Sequence, residues 1–158
     1  MTTMRAKPIS FSRMTYRLHD TVVEWASALP LSIVQLASRI AVAEVFWQSA
    51  QTKLASWPVT LQLFAFEYRL PLLDPGLAAL MATAAELSGA AMLGFGLLAR
   101  LASLMLLGVV SIIQIFVYPD HWAEHLMWTS LLLLVLSRGA GVFSVDHLVS
   151  RRIRAEAE

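Results

Sequence analysis

Leu101–Pro119 reads LASLMLLGVVSIIQIFVYP, nineteen residues without a charged side chain. The stretch before it, Pro75–Arg100, holds a single charge, Glu86, ahead of its closing arginine. A helix rises about 1.5 Å per residue, so some 20 apolar residues cross the hydrocarbon core of a bilayer. Working outward on that criterion gives four expected spans, at about 31–52, 76–98, 101–118 and 122–137. Asp120, after Pro119, is the expected N-cap of the last, with Glu124 in its first turn.

The rest of the composition agrees. Of 158 residues 58% are hydrophobic and 15% charged, against roughly 45–50% and 25% in an average soluble domain. The expected fold is therefore all-α, an integral-membrane four-helix bundle. Net charge is +1, which gives no basic field for nucleic acid. Cysteine is absent, which removes disulfides, thiol nucleophiles and thiolate ligands. No cleavable signal peptide is expected, because Ala26-Ser27-Ala28 precedes the first apolar run and does not follow it.

Lys and Arg set the expected orientation. Arg5, Lys7, Arg13 and Arg17 precede the first span, Arg100 separates the second from the third, and Arg138, Arg151, Arg152 and Arg154 follow the fourth. With four spans these lie on one side, opposite Lys53 and Arg69. Both termini are then cytoplasmic. Residues 1–30 form a cytoplasmic segment in which Phe11, Met14, Leu18, Val22 and Trp25 recur at helical spacing, the pattern of an amphipathic helix lying in the interface. Residues 31–137 are the membrane domain, with an aromatic outer loop at 53–75 expected to fold back over the bundle. Residues 138–158 are a cytoplasmic tail, and its helix carries a basic face.

Ionisable groups inside a span are costly and by default functional candidates. By helical rise Arg39 lies about 12 Å from the cytoplasmic end, and Glu44, Glu86, Gln114 and His125 about 18–20 Å. The expected site is a midplane polar layer of Arg39, Glu44, Glu86 and Gln114, or else an Arg39–Glu86 or Arg39–Glu44 pair that fixes helix register. Ala78, Ala82, Ala85, Gly89 and Ala90 place Glu86 on a face that lets helices approach closely. Glu44, Gln48 and Gln51 form a polar stripe towards Lys53. His121 and His125, at i and i+4, offer two ligands to a metal, for which a third would come from Glu67 or Asp74. The same two histidines on one helix face do not suit a bis-histidine haem, so no intrinsic haem or iron–sulfur cluster is expected.

Several segments carry a family resemblance: Arg39, Phe46, Ser49 and Lys53-Leu54; Phe66-Glu67-Tyr68-Arg69-Leu70-Pro71; Ala84-Ala85-Glu86-Leu87; Gly96-Leu97-Leu98-Ala99-Arg100; Tyr118-Pro119; His125 with Trp128; and the closing Gly139-Ala140-Gly141 with Ser144-Val145-Asp146. In that order, over about Arg39 to Leu148, they resemble the DoxX family of small four-helix membrane proteins, with Ala140 where a proline is common. The resemblance implies an accessory or quinone-linked subunit of a membrane redox system. Quinone is then the expected carrier, with Arg39 on its oxygen and Glu86 or Glu44 relaying the proton, and an oxidoreductase the expected partner. If the protein is an enzyme, it is as a quinone-linked oxidoreductase subunit. Two alternatives stand beside that reading: a non-enzymatic partner protein of an oxidative- or copper-stress response, and a small-solute transporter using the polar layer as its path. Membrane lipid is a partner in all three, and none of them fixes the oligomeric state.

Overall fold

The computed structural model describes residues 11–156 apart from Leu72, and every regular element among them is helical. The first helix, α1 (Phe11–Ser27), belongs to a compact unit of its own that ends at Leu31. Leu18 and Val22 of its apolar stripe are exposed. Arg5, Lys7 and the side chains of Phe11, Met14 and Trp25 lie outside the described residues.

The second unit runs from Ser32 to the C-terminus. It holds α2 (Leu31–Ala55, save its first residue), α3 (Trp57–Gln62), α4 (Pro75–Phe95), α5 (Ala99–Ile112), α6 (Trp122–Arg138) and α7 (Val145–Glu156). α3 continues as a π-helical turn over Leu63–Tyr68, and α5 as another over Ile113–Val117. Val42 and Phe46 of α2, Leu93 of α4, Leu106 of α5 and Leu132 of α6 meet in one buried core. A smaller cluster forms where Phe64 of the first π-helical turn packs on Ala78 and Ala79 of α4. The aromatic connection between α2 and α4 thus folds onto the helices as α3 and its π-helical turn.

Local chemistry sets the helix ends. Asp74 caps α4 by accepting from the amides of Gly76 and Leu77, with Pro75 in the first turn, where its missing N–H costs nothing. At the other end Gly96 takes the left-handed conformation (φ 67°), and Leu97 N–H donates back to the Met92 carbonyl at 2.9 Å, a glycine-terminated C-cap. α4 therefore stops at Phe95, earlier than the expected 98, and α5 begins at Ala99. α5 opens on Leu98, which is itself left-handed (φ 46°) and has no capping side chain. Its cap comes from a distance: Asp146 of α7 accepts from the amides of Leu98 (2.7 Å) and Ala99 (3.0 Å). Asp120 does not cap α6; His121 occupies that position and no side chain caps it, so this helix start lacks the expected carboxylate.

At the same end of the molecule Arg39 is fully buried, donating to the carbonyls of Leu93 (3.2 Å) and Phe143 (2.6 Å). Gln35, one turn earlier, donates to the carbonyls of Arg138 and Gly139. Gln35 thereby satisfies carbonyls that the end of α6 leaves free, and the Arg39 guanidinium sits at the negative end of the α4 dipole. Gly96 has room only for a hydrogen, because a Cβ there would collide with the Arg39 guanidinium.

Two helices, Pro75–Phe95 and Ala99–Val117, are long and apolar enough to cross a membrane by themselves. Only 39% and 22% of their apolar windows are buried, so most of that surface faces outward, unlike the core helix of a soluble domain. Against each other they pack closely: a Cβ on Gly89 would sit 2.8 Å from Leu106 Cγ, whereas one on Gly94 meets nothing. Gly89→Ala is expected to cost about 1–3 kcal/mol by overpacking, and Gly94→Ala to gain about 0.5–1 kcal/mol in helix propensity. The two thermal unfolding midpoints in detergent should move in opposite directions from wild type.

Candidate functional site

Away from Arg39, towards the end that carries α3, the helices enclose a cavity of about 500 Å³. Its volume comes from small residues: Ala78, Ala82 and Ala85 on α4 and Gly108 on α5 line it where larger side chains would fill it. Phe46, Met81, Met105 and Ile112 make the walls apolar, and Phe64, Tyr68 and Leu70 of the connection close one side. Both π-helical turns contribute lining residues, Phe64 and Tyr68 from one, Ile113 and Val117 from the other. Such turns occur disproportionately at functional sites. A largely apolar pocket of this size with a few convergent polar groups is the usual form of a small-molecule site.

The first polar pole is an ion pair. Lys53 sits near the end of α2, but its side chain turns back along the helix, as long helical side chains do. The ammonium reaches Ser49 Oγ (2.7 Å) and both carboxylate oxygens of Glu86 (2.7 and 3.0 Å). The Glu86 side chain is 2% exposed and that of Lys53 15%. Burial of both charges is tolerable because each is paired and hydrogen-bonded, and the pair lies in the cavity wall.

The second pole lies on α6. His125 is buried, and its Nδ1 is 2.6 Å from Gln114 Oε1, while Gln114 Nε2 donates to the Pro119 carbonyl at 2.7 Å. Beyond it, Tyr118 Oη donates to Glu67 (3.0 Å) and lies 3.4 Å from Tyr68 Oη. The rings follow one another along the wall: Tyr68 to Tyr118 (5.8 Å between centroids), Tyr118 to His121 (5.4 Å), His121 to His125 (6.3 Å), His125 to Trp128 (5.3 Å) and Trp128 to Phe46 (6.1 Å). A planar aromatic ligand would meet ring edges and faces along the whole of this side.

The expected site residues do not gather into one layer. Arg39 is tied to backbone carbonyls at the α7 end and does not line the cavity. Glu44 is exposed and accepts from Gln48, so the polar stripe on α2 is real but faces out. Glu86 finds Lys53 in place of Arg39 or Glu44, because Lys53 folds back while Arg39 sits about 20 Å further along α2. Gln114 is joined to His125 and holds it. His121 and His125 are neighbours, but His121 is exposed and its nearest carboxylate, Glu124, is 3.7 Å away. Among the described residues no three His, Asp or Glu side chains converge as a metal site would need. Lys53, Ser49 and Trp128 complete the site. The i, i+4 spacing of Ser49 and Lys53 beside a lone intrahelical glutamate was the available signal for the first two.

A family model described as DoxX matches residues 34–119, more than half of the chain. No curated protein and no solved structure matches it.

The ion pair makes its own prediction. Lys53→Met leaves the Glu86 carboxylate buried without a cation, and is expected to cost about 3–5 kcal/mol. Lys53→Met with Glu86→Leu replaces the pair by apolar groups and should recover most of that loss, read as the unfolding midpoint of the purified protein in detergent.

Proposed function

The chain belongs to the DoxX family and is a membrane protein, and from that premise we propose that it is a quinone-linked accessory subunit of a membrane redox system. The single observation that carries the reading is the half-open apolar cavity of about 500 Å³ with a polar pole at Lys53–Glu86 and another at His125. Its size, apolar walls and flanking rings suit a substituted benzoquinone or naphthoquinone head, and its two poles suit a ligand with oxygen on opposite sides. We place α2, α4, α5 and α6 across the inner membrane as a four-helix bundle, with both termini cytoplasmic on the side richer in Lys and Arg. α1 then lies in the cytoplasmic interface.

A bound quinone supplies reversible two-electron, two-proton chemistry. The chain's own residues would do three things for it. Lys53 Nζ spends its N–H groups on Ser49 and Glu86, so the Ser49 O–H donates a hydrogen bond to an oxygen entering this pole, and the Glu86 carboxylate beside it can hold a proton. The ring series from Tyr68 to Phe46 orients a flat head along α6. The apolar walls exclude water, which strengthens each of these contacts. Arg39 keeps an architectural part in this scheme, because both of its donations end on backbone carbonyls and its side chain is fully buried.

Quinone content measured by mass spectrometry on protein purified in lipid nanodiscs tests the proposal. Wild type should retain quinone above an unrelated four-helix protein handled identically. Ala82→Phe and Gly108→Phe fill the cavity from different helices, and each should lower retention about tenfold in a protein that still folds. The Gly108 position has open space around it. No enrichment in the wild type would overturn the quinone reading and favour a protein partner in its place.

A further inference from the structure

The second pole has a hydrogen-bond direction that can be worked out atom by atom. Pro119 contributes a carbonyl, which only accepts, so the Gln114 atom 2.7 Å from it must be the amide nitrogen. That orients Gln114 Oε1 towards His125, and an oxygen only accepts, so the ring atom 2.6 Å away must be a protonated Nδ1. The neutral imidazole then carries a lone pair on Nε2. Nε2 has no hydrogen-bond partner among the described residues, although His125 is only 4% exposed. Arg39 Nε is the one fully enclosed side-chain polar atom there without a partner. His125 Nε2 is therefore not sealed in protein, and His125 is among the residues that line the cavity.

We propose that this lone pair makes the cavity selective for the hydroxyl-bearing, reduced form of its ligand, an alkylated hydroquinone, which rests on the quinone reading above. A hydroquinone O–H donates to Nε2, whereas a quinone carbonyl would set an acceptor against an acceptor. The Lys53–Glu86 pole does not discriminate in the same way, because it offers both a donor and an acceptor. His125 is the specificity-determining contact, and Gln114 is the positioning residue that holds its tautomer.

Anaerobic titration calorimetry of the full chain in nanodiscs tests this with three probes: a decyl-substituted hydroquinone, the corresponding quinone, and the hydroquinone dimethyl ether, which keeps the shape and loses both O–H donors. Wild type should bind the hydroquinone about tenfold more tightly than either of the others, the effect of one good hydrogen bond. Gln114→Leu releases the tautomer, lets Nε2 carry the proton, and should shift the preference towards the quinone by at least fivefold. His125→Phe with Gln114→Leu exchanges the hydrogen-bonded pair for an apolar pair of similar shape, a change that folds tolerate, and should cut the preference for hydroquinone over its ether by a similar factor. Equal binding of quinone and hydroquinone by the wild type, or a preference unchanged in both variants, overturns the proposal while leaving the cavity a carrier site. Failure of all three probes to bind overturns the carrier reading, and this inference with it.

Discussion

The constraint on which the remaining architecture depends is the burial of one guanidinium. A charged group with no exposure must be compensated locally, and Arg39 is compensated by the Leu93 carbonyl at the end of α4, the Phe143 carbonyl in the loop before α7 and the charge of the nearby Asp146 carboxylate. Three segments distant in sequence are thereby held at fixed separations. Gly96 has to be a glycine because the guanidinium occupies the space of its Cβ. The tight α4–α5 turn that follows forces Leu98 into a left-handed conformation, and Asp146 offsets that strain by capping α5 from across the molecule.

With one end locked in this way, the other end can remain open. The small residues of α4 that permit close approach to α5 near Gly89 become, about one to three turns earlier, the wall of a cavity at Ala78, Ala82 and Ala85. Close packing and empty space are two uses of one alanine-rich helix, separated by the level at which the connection through α3 and its π-helical turn takes over as the opposing surface. The ion pair and the His125–Gln114 pair sit where that change occurs. Each joins a buried group, Glu86 or His125, to a partly buried partner from a different element, so the cavity-lining Lys53, Glu86 and His125 are held in fixed directions.

Much of this was legible in the sequence, and the failures have physical causes. The helices were readable from apolar run length, although Gly96 ends α4 before the expected residue 98. Glu86 was readable as an inward-facing carboxylate because a stripe of small residues surrounds it. Its partner was misplaced because depth was counted along the backbone, and a lysine side chain spans more than a helical turn: Lys53 belongs to the end of α2 by its Cα and to the interior by its Nζ. Arg39 was read correctly as inward-facing but assigned to a ligand, since no local pattern shows that carbonyls some fifty and a hundred residues away will claim its donors. The cavity itself was invisible. It depends on two π-helical turns and a folded connection, none of which has a periodicity that can be counted.

The long reach of the α7-end contacts also bears on how the chain comes to be assembled. Phe143 lies 104 residues after Arg39, and Asp146 lies 48 residues after Leu98. Because ribosomes deliver polypeptide from the N-terminus, α2, α4 and α5 emerge well before the loop and the carboxylate that will hold them. During that interval the arginine lacks one of its two carbonyls and the α4–α5 corner lacks its cap. Closure is consequently a late event, completed when residues 139–146 dock, and an assembly intermediate halted short of that segment would present an under-compensated arginine to whichever quality-control factor surveys the membrane.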